Sequence, residues 1–94
     1  MIKTKEYYVK LENGEYSIIE KAKKFTNPYD LDLFKFTDKY GTNISEGKTG
    51  MKLFTGNISP EALECRINSL GGIEKFREII NDKILEFGYC PRYK

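Results

Sequence analysis

The dipeptide Asn13-Gly14 constrains the fold more than any other feature of this sequence. Alternating apolar side chains flank it, namely Tyr7, Val9 and Leu11 before the dipeptide and Tyr16 and Ile18 after it. Because a two-residue turn needs a positive φ at both central positions, Asn-Gly between two alternating runs is typical of a β-hairpin. The sequence therefore predicts an N-terminal hairpin, and it leaves open whether residues 17–25 are strand or helix.

The middle of the chain is predicted to add two short strands, near Asp32–Asp38 and Thr49–Thr55. Thr26–Asp30 is predicted to be a turn, since Pro28 disfavours helical backbone in the residue before it. Glycines divide the segment after this turn into strand-sized pieces. An extended, glycine-containing segment is therefore expected to join the two strands.

The last third of the chain changes to helical periodicity. Ser59-Pro60-Glu61 predicts a helix start, since serine accepts from an orphan amide, proline suits the first turn and glutamate complements the helix dipole. Apolar side chains then recur at helical spacing in two segments, which Gly71-Gly72 separates and Gly88 ends. The sequence therefore predicts two C-terminal helices.

These elements predict an α+β fold in which a small antiparallel sheet of three or four strands, the N-terminal hairpin first, carries two C-terminal helices on one face. A length of 94 residues fits a single domain over residues 1–94. The predicted core consists of the apolar side chains on the inner faces of these elements: Val9, Leu11, Ile18, Phe34, Phe36, Leu53, Leu63, Ile67, Leu70, Phe76, Ile80, Ile84 and Phe87.

Composition excludes several classes of function. The chain has no histidine and two cysteines, so it cannot supply a histidine general base, a Ser-His-Asp triad or the four ligands of a structural zinc site. No apolar run approaches the ~18 residues that indicate a membrane span. A net charge of +2 makes no strong cationic field. We therefore expect a cytoplasmic protein with reduced thiols that is not an enzyme and binds no membrane, metal or cofactor.

Aromatic side chains predict a contact surface for another protein. Seven tyrosines are more than a small core buries, and tyrosine and arginine are enriched at binding hot spots. The candidate surface comprises residues of predicted loops, the second helix and the tail: Tyr29, Tyr40, Leu85, Tyr89, Arg92 and Tyr93. Leu85 points away from the apolar stripe of its helix, so it is either covered by the tail or exposed. We expect a non-catalytic binding protein with a larger protein as partner, itself a monomer or a homodimer.

In size, charge balance and a composition typical of AT-rich genomes, the chain is similar to small proteins of phages and mobile elements, including anti-CRISPR proteins. No motif carries this resemblance, so it assigns no role to any residue. It implies an inhibitor that masks a surface of a host defence protein.

Nucleic-acid or nucleotide binding is the alternative function. Basic side chains after the hairpin, Lys21, Lys23 and Lys24, lie near aromatic rings of the kind that stack on bases. The loop Gly41–Gly50, with Lys48 and Thr49, is similar to the phosphate-binding P-loop pattern, but its glycine spacing is one residue too long and a strand is expected after it. The alternative site consists of these five side chains.

Overall fold

The computed structural model describes residues 2–94 and has six strands and two helices. An N-terminal pair, β1 (Tyr7–Lys10) and β2 (Tyr16–Ile19), forms one antiparallel sheet. The second antiparallel sheet has the order β3 (Lys23–Lys24), β4 (Leu33–Asp38), β5 (Gly41–Glu46) and β6 (Lys52–Thr55). Helices α1 (Pro60–Ser69) and α2 (Ile73–Phe87) come next. The α+β class and the element order are confirmed, with two sheets in place of the single sheet predicted.

The predicted hairpin forms, but its loop contains three residues rather than two. The Leu11 amide donates to the Glu15 carbonyl, and the Gly14 amide donates to the Leu11 carbonyl. Within the loop only Gly14 has a positive φ, of 87°. A tight turn closed by one left-handed glycine is the usual three-residue hairpin connection.

This loop length changes which side of β2 faces the core. Val9 pairs with Ser17 and Tyr7 with Ile19, so these four side chains share one face of the hairpin. A shift of one residue in register moves every side chain of a strand to the other face. Ile18 therefore points outward and is 49% exposed, and its prediction as a core residue is wrong.

One of the two inner strands of the larger sheet, β5, was predicted only as an extended connection. Its sequence, GTNISE, has a single aliphatic side chain, Ile44. The strand nevertheless pairs with β4 on one side and β6 on the other, and Asn43, Ser45 and Glu46 are buried in it. Pairing on both sides satisfies its backbone groups, and the buried side chains of Asn43 and Glu46 have hydrogen-bond partners, whereas Ser45 Oγ has none within residues 2–94.

The larger sheet packs on both faces, so the molecule has three layers. Between the sheet and the helices lies a buried cluster of Phe25, Leu33, Ile44, Leu63, Ile67, Phe76 and Ile80. The opposite face carries Phe34 and Phe36, which pack against Val9 of the hairpin. On this face the Tyr7 ring also stacks on Phe34, with centroids 4.6 Å apart.

Ser59 caps α1 as predicted, because its hydroxyl accepts from the Ala62 amide at 3.2 Å. Gly71 and Gly72 end the helix, and their amides donate to carbonyls of its last turn.

Residues 17–25 are not helical: β2 ends at Ile19 and β3 begins at Lys23. Within residues 2–94, neither helix combines the length and the apolar character needed to cross a membrane.

Three further predicted core residues lie near the ends of their elements and are exposed. Leu11 is 41% exposed beside the hairpin turn, Leu70 is 45% exposed at the C-cap of α1 and Phe87 is 47% exposed at the last residue of α2. The spacing of apolar residues does not show at which residue a strand or helix extends beyond the layer that it packs against. Four apolar or thiol side chains that were not predicted for the core are buried: Phe25, Leu33, Ile44 and Cys90.

Candidate functional site

Arg92 of the tail joins the two ends of the chain to the larger sheet. Its guanidinium donates to Asp32 from Nε at 2.9 Å and from Nη2 at 3.4 Å. Nη1 donates to the carbonyls of Thr4 and Glu6 at 3.0 and 3.2 Å, and the group lies 4.1 Å from the ring centroid of Tyr7. The Arg92 side chain is 7% exposed, so a side chain predicted for the contact surface lies inside the fold.

Asp32 also fixes the neighbouring ring of the tail. The Tyr93 hydroxyl donates to Asp32 Oδ2 at 2.7 Å. Burial, reinforced by this hydrogen bond, raises the pKa of Tyr93. Burial acts to lower the pKa of Arg92, but the hydrogen bond and charge of Asp32 outweigh it and raise that pKa. Tyr93 and Arg92 therefore remain protonated in the neutral pH range.

Gly47 makes room for the Asp32 carboxylate. Its amide donates to the Asp32 carbonyl at 2.6 Å, and a Cβ atom at position 47 would overlap the Asp32 carboxylate. Gly47 and Lys48 also bind the tail. The Cys90 amide donates to the Lys48 carbonyl at 2.8 Å, and the Cys90 thiol donates to the Gly47 carbonyl at 3.1 Å. The loop after β5 therefore holds the C-terminal tail against the fold by hydrogen bonds.

The same loop surrounds a carboxylate of the chain itself. Glu46 is 2% exposed, and it accepts from the amides of Lys48 and Thr49 at 2.7 and 2.8 Å and from the Thr49 hydroxyl at 2.8 Å. Burial raises the pKa of Glu46, although these hydrogen bonds act in the opposite direction. The amides that a P-loop would offer to phosphate are therefore occupied by Glu46.

A cavity of about 290 Å³ opens between α2, the loop before β4 and the tail. Its lining residues are Tyr29, Asp30, Leu31, Asp32, Glu46, Lys48, Arg77, Ile80, Asn81 and Tyr93. Two of its carboxylates, Asp32 and Glu46, already accept from donors of the chain. Arg77 donates to the Tyr29 carbonyl at 3.0 Å. The remaining lining combines the rings of Tyr29 and Tyr93 and the aliphatic side chains of Leu31 and Ile80 with polar and charged groups, among them Asp30, Lys48 and Asn81.

Several residues of the predicted contact surface come together around this cavity. Tyr29 and Tyr93 line it, and the Tyr89 ring stacks on Tyr93 with centroids 5.8 Å apart. Leu85 lies one helical turn beyond the lining residue Asn81 and is 85% exposed, so the tail does not cover it.

Tyr40 lies elsewhere, in the turn between β4 and β5, and is 75% exposed. This turn is at the opposite end of the two strands from Leu33 and Glu46, which pair beside the cavity. Tyr40 is therefore exposed as predicted but separate from the other tyrosines.

The residues of the alternative site fall in two different environments. Lys21, Lys23 and Lys24 are exposed, and the last two form β3 at the edge of the larger sheet. Lys48 lines the cavity, whereas Thr49 is buried and bound to Glu46. These residues belong to an edge strand and a loop rather than to one basic groove.

The roles of Asp32, Glu46, Arg77 and Asn81 were not predicted from the sequence. Asp32 and Arg92 are 60 residues apart, and no local pattern shows that they meet. Within the part of the chain that the structure describes, no group of three or more His, Cys, Asp or Glu side chains is placed to hold a metal ion. No family model, curated protein or solved structure matches the chain.

Proposed function

We propose that this protein is a non-catalytic binding protein that docks on a larger protein through the outer side of α2 and the adjoining tail. This side, the α2 surface, consists of Arg77, Asn81, Leu85, Tyr89 and Tyr93. The observation that carries the proposal is Leu85, which is 85% exposed beside a cavity lined by Arg77, Asn81 and Tyr93.

Helical spacing aligns the first three residues of the surface. Arg77, Asn81 and Leu85 follow one another at intervals of four residues and therefore lie on one side of α2. Full burial of a leucine side chain is worth about 1.5–3 kcal/mol relative to exposure. A partner that covers Leu85 gains this energy, and the neighbouring cavity of about 290 Å³ offers space for a side chain of the partner.

The tyrosines add contact area at a small entropic cost. Tyr93 is held by its hydrogen bond to Asp32 at 2.7 Å, and Tyr89 stacks on it. Rings that are ordered before binding lose little conformational entropy in the complex. This arrangement supports a contact surface that is preformed in the free protein.

The internal use of charged groups supports binding rather than catalysis. The chain lacks histidine, and the carboxylates of Asp32 and Glu46 accept from Arg92, Tyr93 and the loop after β5. These contacts hold both carboxylates within the fold, which disfavours a role for either of them as a general base.

We also propose a cytoplasmic location, which the free thiols of Cys65 and Cys90, one exposed and one buried, support. An inhibitor of a host defence system, such as an anti-CRISPR protein, is the form of binding protein that the composition implies. This assignment stays a prediction.

Affinity capture of the tagged protein from lysate of its native host tests the proposal. The capture is performed with and without nuclease at two salt concentrations, and bound material is identified by mass spectrometry. We expect one protein partner in stoichiometric amount that survives nuclease and high salt. Recovery of nucleic acid alone, lost steeply as salt rises, would instead establish the alternative function.

A further inference from the structure

Lysines and aromatic rings from four segments meet beside the C-terminal end of α2. Lys10 Nζ of β1 lies 3.6 Å from the ring centroid of Phe87 and 5.9 Å from that of Tyr16. Lys83 Nζ lies 5.6 Å from the Phe87 centroid, and Lys94 Nζ lies 5.7 Å from the Tyr16 centroid. We call these five residues the lysine–aromatic cluster. It shares no residue with the α2 surface.

The cluster has more positive charge than the fold neutralises. Lys83 forms an ion pair with Glu86 at 3.4 Å. Lys10 and Lys94, in contrast, form no ion pair within residues 2–94. Two ammonium groups of the cluster are therefore available to carboxylates of a partner.

The cluster also contains an apolar surface, the ring of Phe87. Phe87 is 47% exposed although it ends the apolar stripe of α2. An aliphatic side chain of a partner would cover the rest of this ring, while carboxylates on either side approach the lysines. A surface with apolar area flanked by cations complements a segment with apolar area flanked by anions.

The position of Lys10 favours a polypeptide over single-stranded nucleic acid. Bases bind aromatic side chains by stacking on an open ring face. At 3.6 Å from the centroid, the Lys10 ammonium already covers one face of Phe87, and a base would have to displace it there. A carboxylate reaches the same ammonium without moving it.

We propose that the lysine–aromatic cluster binds an acidic polypeptide segment, with carboxylates on Lys10 and Lys94 and an aliphatic side chain on Phe87. This site is independent of the α2 surface. The acidic segment of the partner then lies where the hairpin, the C-terminal end of α2 and the tail meet.

Titration with defined probes tests the proposal. The probes are a fluorescein-labelled oligoglutamate peptide with one central leucine, the same peptide with serine in place of glutamate, and oligothymidylate. We expect the acidic peptide to bind, the serine peptide to bind at least about tenfold more weakly, and amide NMR shifts to centre on Lys10, Tyr16 and Phe87.

Charge-matched variants separate the cluster from net charge. Lys10→Glu/Lys94→Glu is expected to weaken binding of the acidic peptide at least about tenfold, and Lys10→Gln/Lys94→Gln less strongly. The control Lys23→Glu/Lys24→Glu changes the net charge equally on the exposed strand β3, and we expect a change within about twofold. Thermal unfolding of all variants establishes that they are folded.

Three results would overturn the proposal. The first is equal weakening by the cluster and control variants, which would show a response to net charge alone. The second is equal binding of the acidic and serine peptides. The third is tighter binding of oligothymidylate that depends on Lys10 and Lys94, which would assign the cluster to nucleic acid. None of these results depends on the host-lysate capture, so the two proposals fail separately.

Discussion

Arg92 and Asp32 are 60 residues apart in the sequence and form an ion pair with Nε and Oδ2 2.9 Å apart. The pair lies beside the start of β4, and its arginine also binds the carbonyls of Thr4 and Glu6. Both side chains are largely buried, at 7% and 13% exposure. A single guanidinium therefore connects both ends of the described chain to the sheet.

Replacement of Arg92 should strongly destabilise the fold. We expect Arg92→Leu to lower the free energy of unfolding by about 3–5 kcal/mol, because it leaves the largely buried Asp32 carboxylate without its charge partner. Arg92→Lys should restore only a small part, since an ammonium cannot reproduce the planar set of donors. Urea unfolding followed by circular dichroism measures both changes.

Arg66→Leu is the matched control for this prediction. Arg66 is exposed on α1, and its guanidinium lies 5.4 Å from the Phe54 ring centroid. We expect a loss of less than about 1 kcal/mol. A loss of that size for Arg92→Leu would contradict the role given to the buried pair.

Gly47→Ala should destabilise the protein through Asp32. The added methyl group would overlap the Asp32 carboxylate, and overpacking of this kind costs about 1–3 kcal/mol. In the background of Asp32→Ala the same substitution should cost less, since the overlapping atoms are gone. A double-mutant cycle in urea should therefore give a coupling energy of about 0.5–3 kcal/mol. Strictly additive losses would show that position 47 does not act through Asp32.

Glu46 should make stability fall as pH rises above the ordinary carboxyl range. Burial raises the pKa of Glu46 above its ordinary value of 4.5. The folded state therefore binds the proton more tightly than the unfolded state, so the stabilisation is complete below the unfolded pKa and is lost as pH rises through the folded pKa. The measurement is the free energy of unfolding at a series of pH values from about 4 to about 8.

Glu46→Gln isolates this contribution. The substitution should remove the contribution of Glu46 to the pH dependence of stability. It should also lower stability overall, because the side-chain NH2 of glutamine would replace one acceptor oxygen and face an amide donor of the loop. The informative quantity is the difference between the two pH curves. A constant difference across this pH range would refute the assignment to Glu46.

Local signals predicted the ends of elements better than their faces. The Asn13-Gly14 turn and the Ser59 cap each depend on a few neighbouring residues, and both are found in the structure. The register of β2 depends on whether the loop has two or three residues, and Asn-Gly is compatible with both. That single difference exchanged Ile18 for Ile19 on the inner face.

Long-range features were not predictable in the same way. β5 is polar in sequence and becomes a strand because β4 and β6 pair with it on both sides. Arg92 was expected on the contact surface because arginine is enriched at binding hot spots, and only the position of Asp32 explains its burial. Helical periodicity predicted that Leu85 points away from the apolar stripe of α2 but left open whether the tail covers it, and the cavity beside it depends on the tertiary fold.

The proposed α2 surface has Leu85 at its centre. The most direct measurement is parallel affinity capture from native host lysate with the unmodified protein, Leu85→Asp and the control Leu70→Asp, which alters a leucine that is 45% exposed at the end of α1. We predict that Leu85→Asp reduces recovery of the partner at least about tenfold, as at a hot spot. Leu70→Asp should change recovery by less than about twofold, with both variants folded by circular dichroism. Equal recovery by folded Leu85→Asp and the unmodified protein would contradict the assignment of Leu85 to the binding surface.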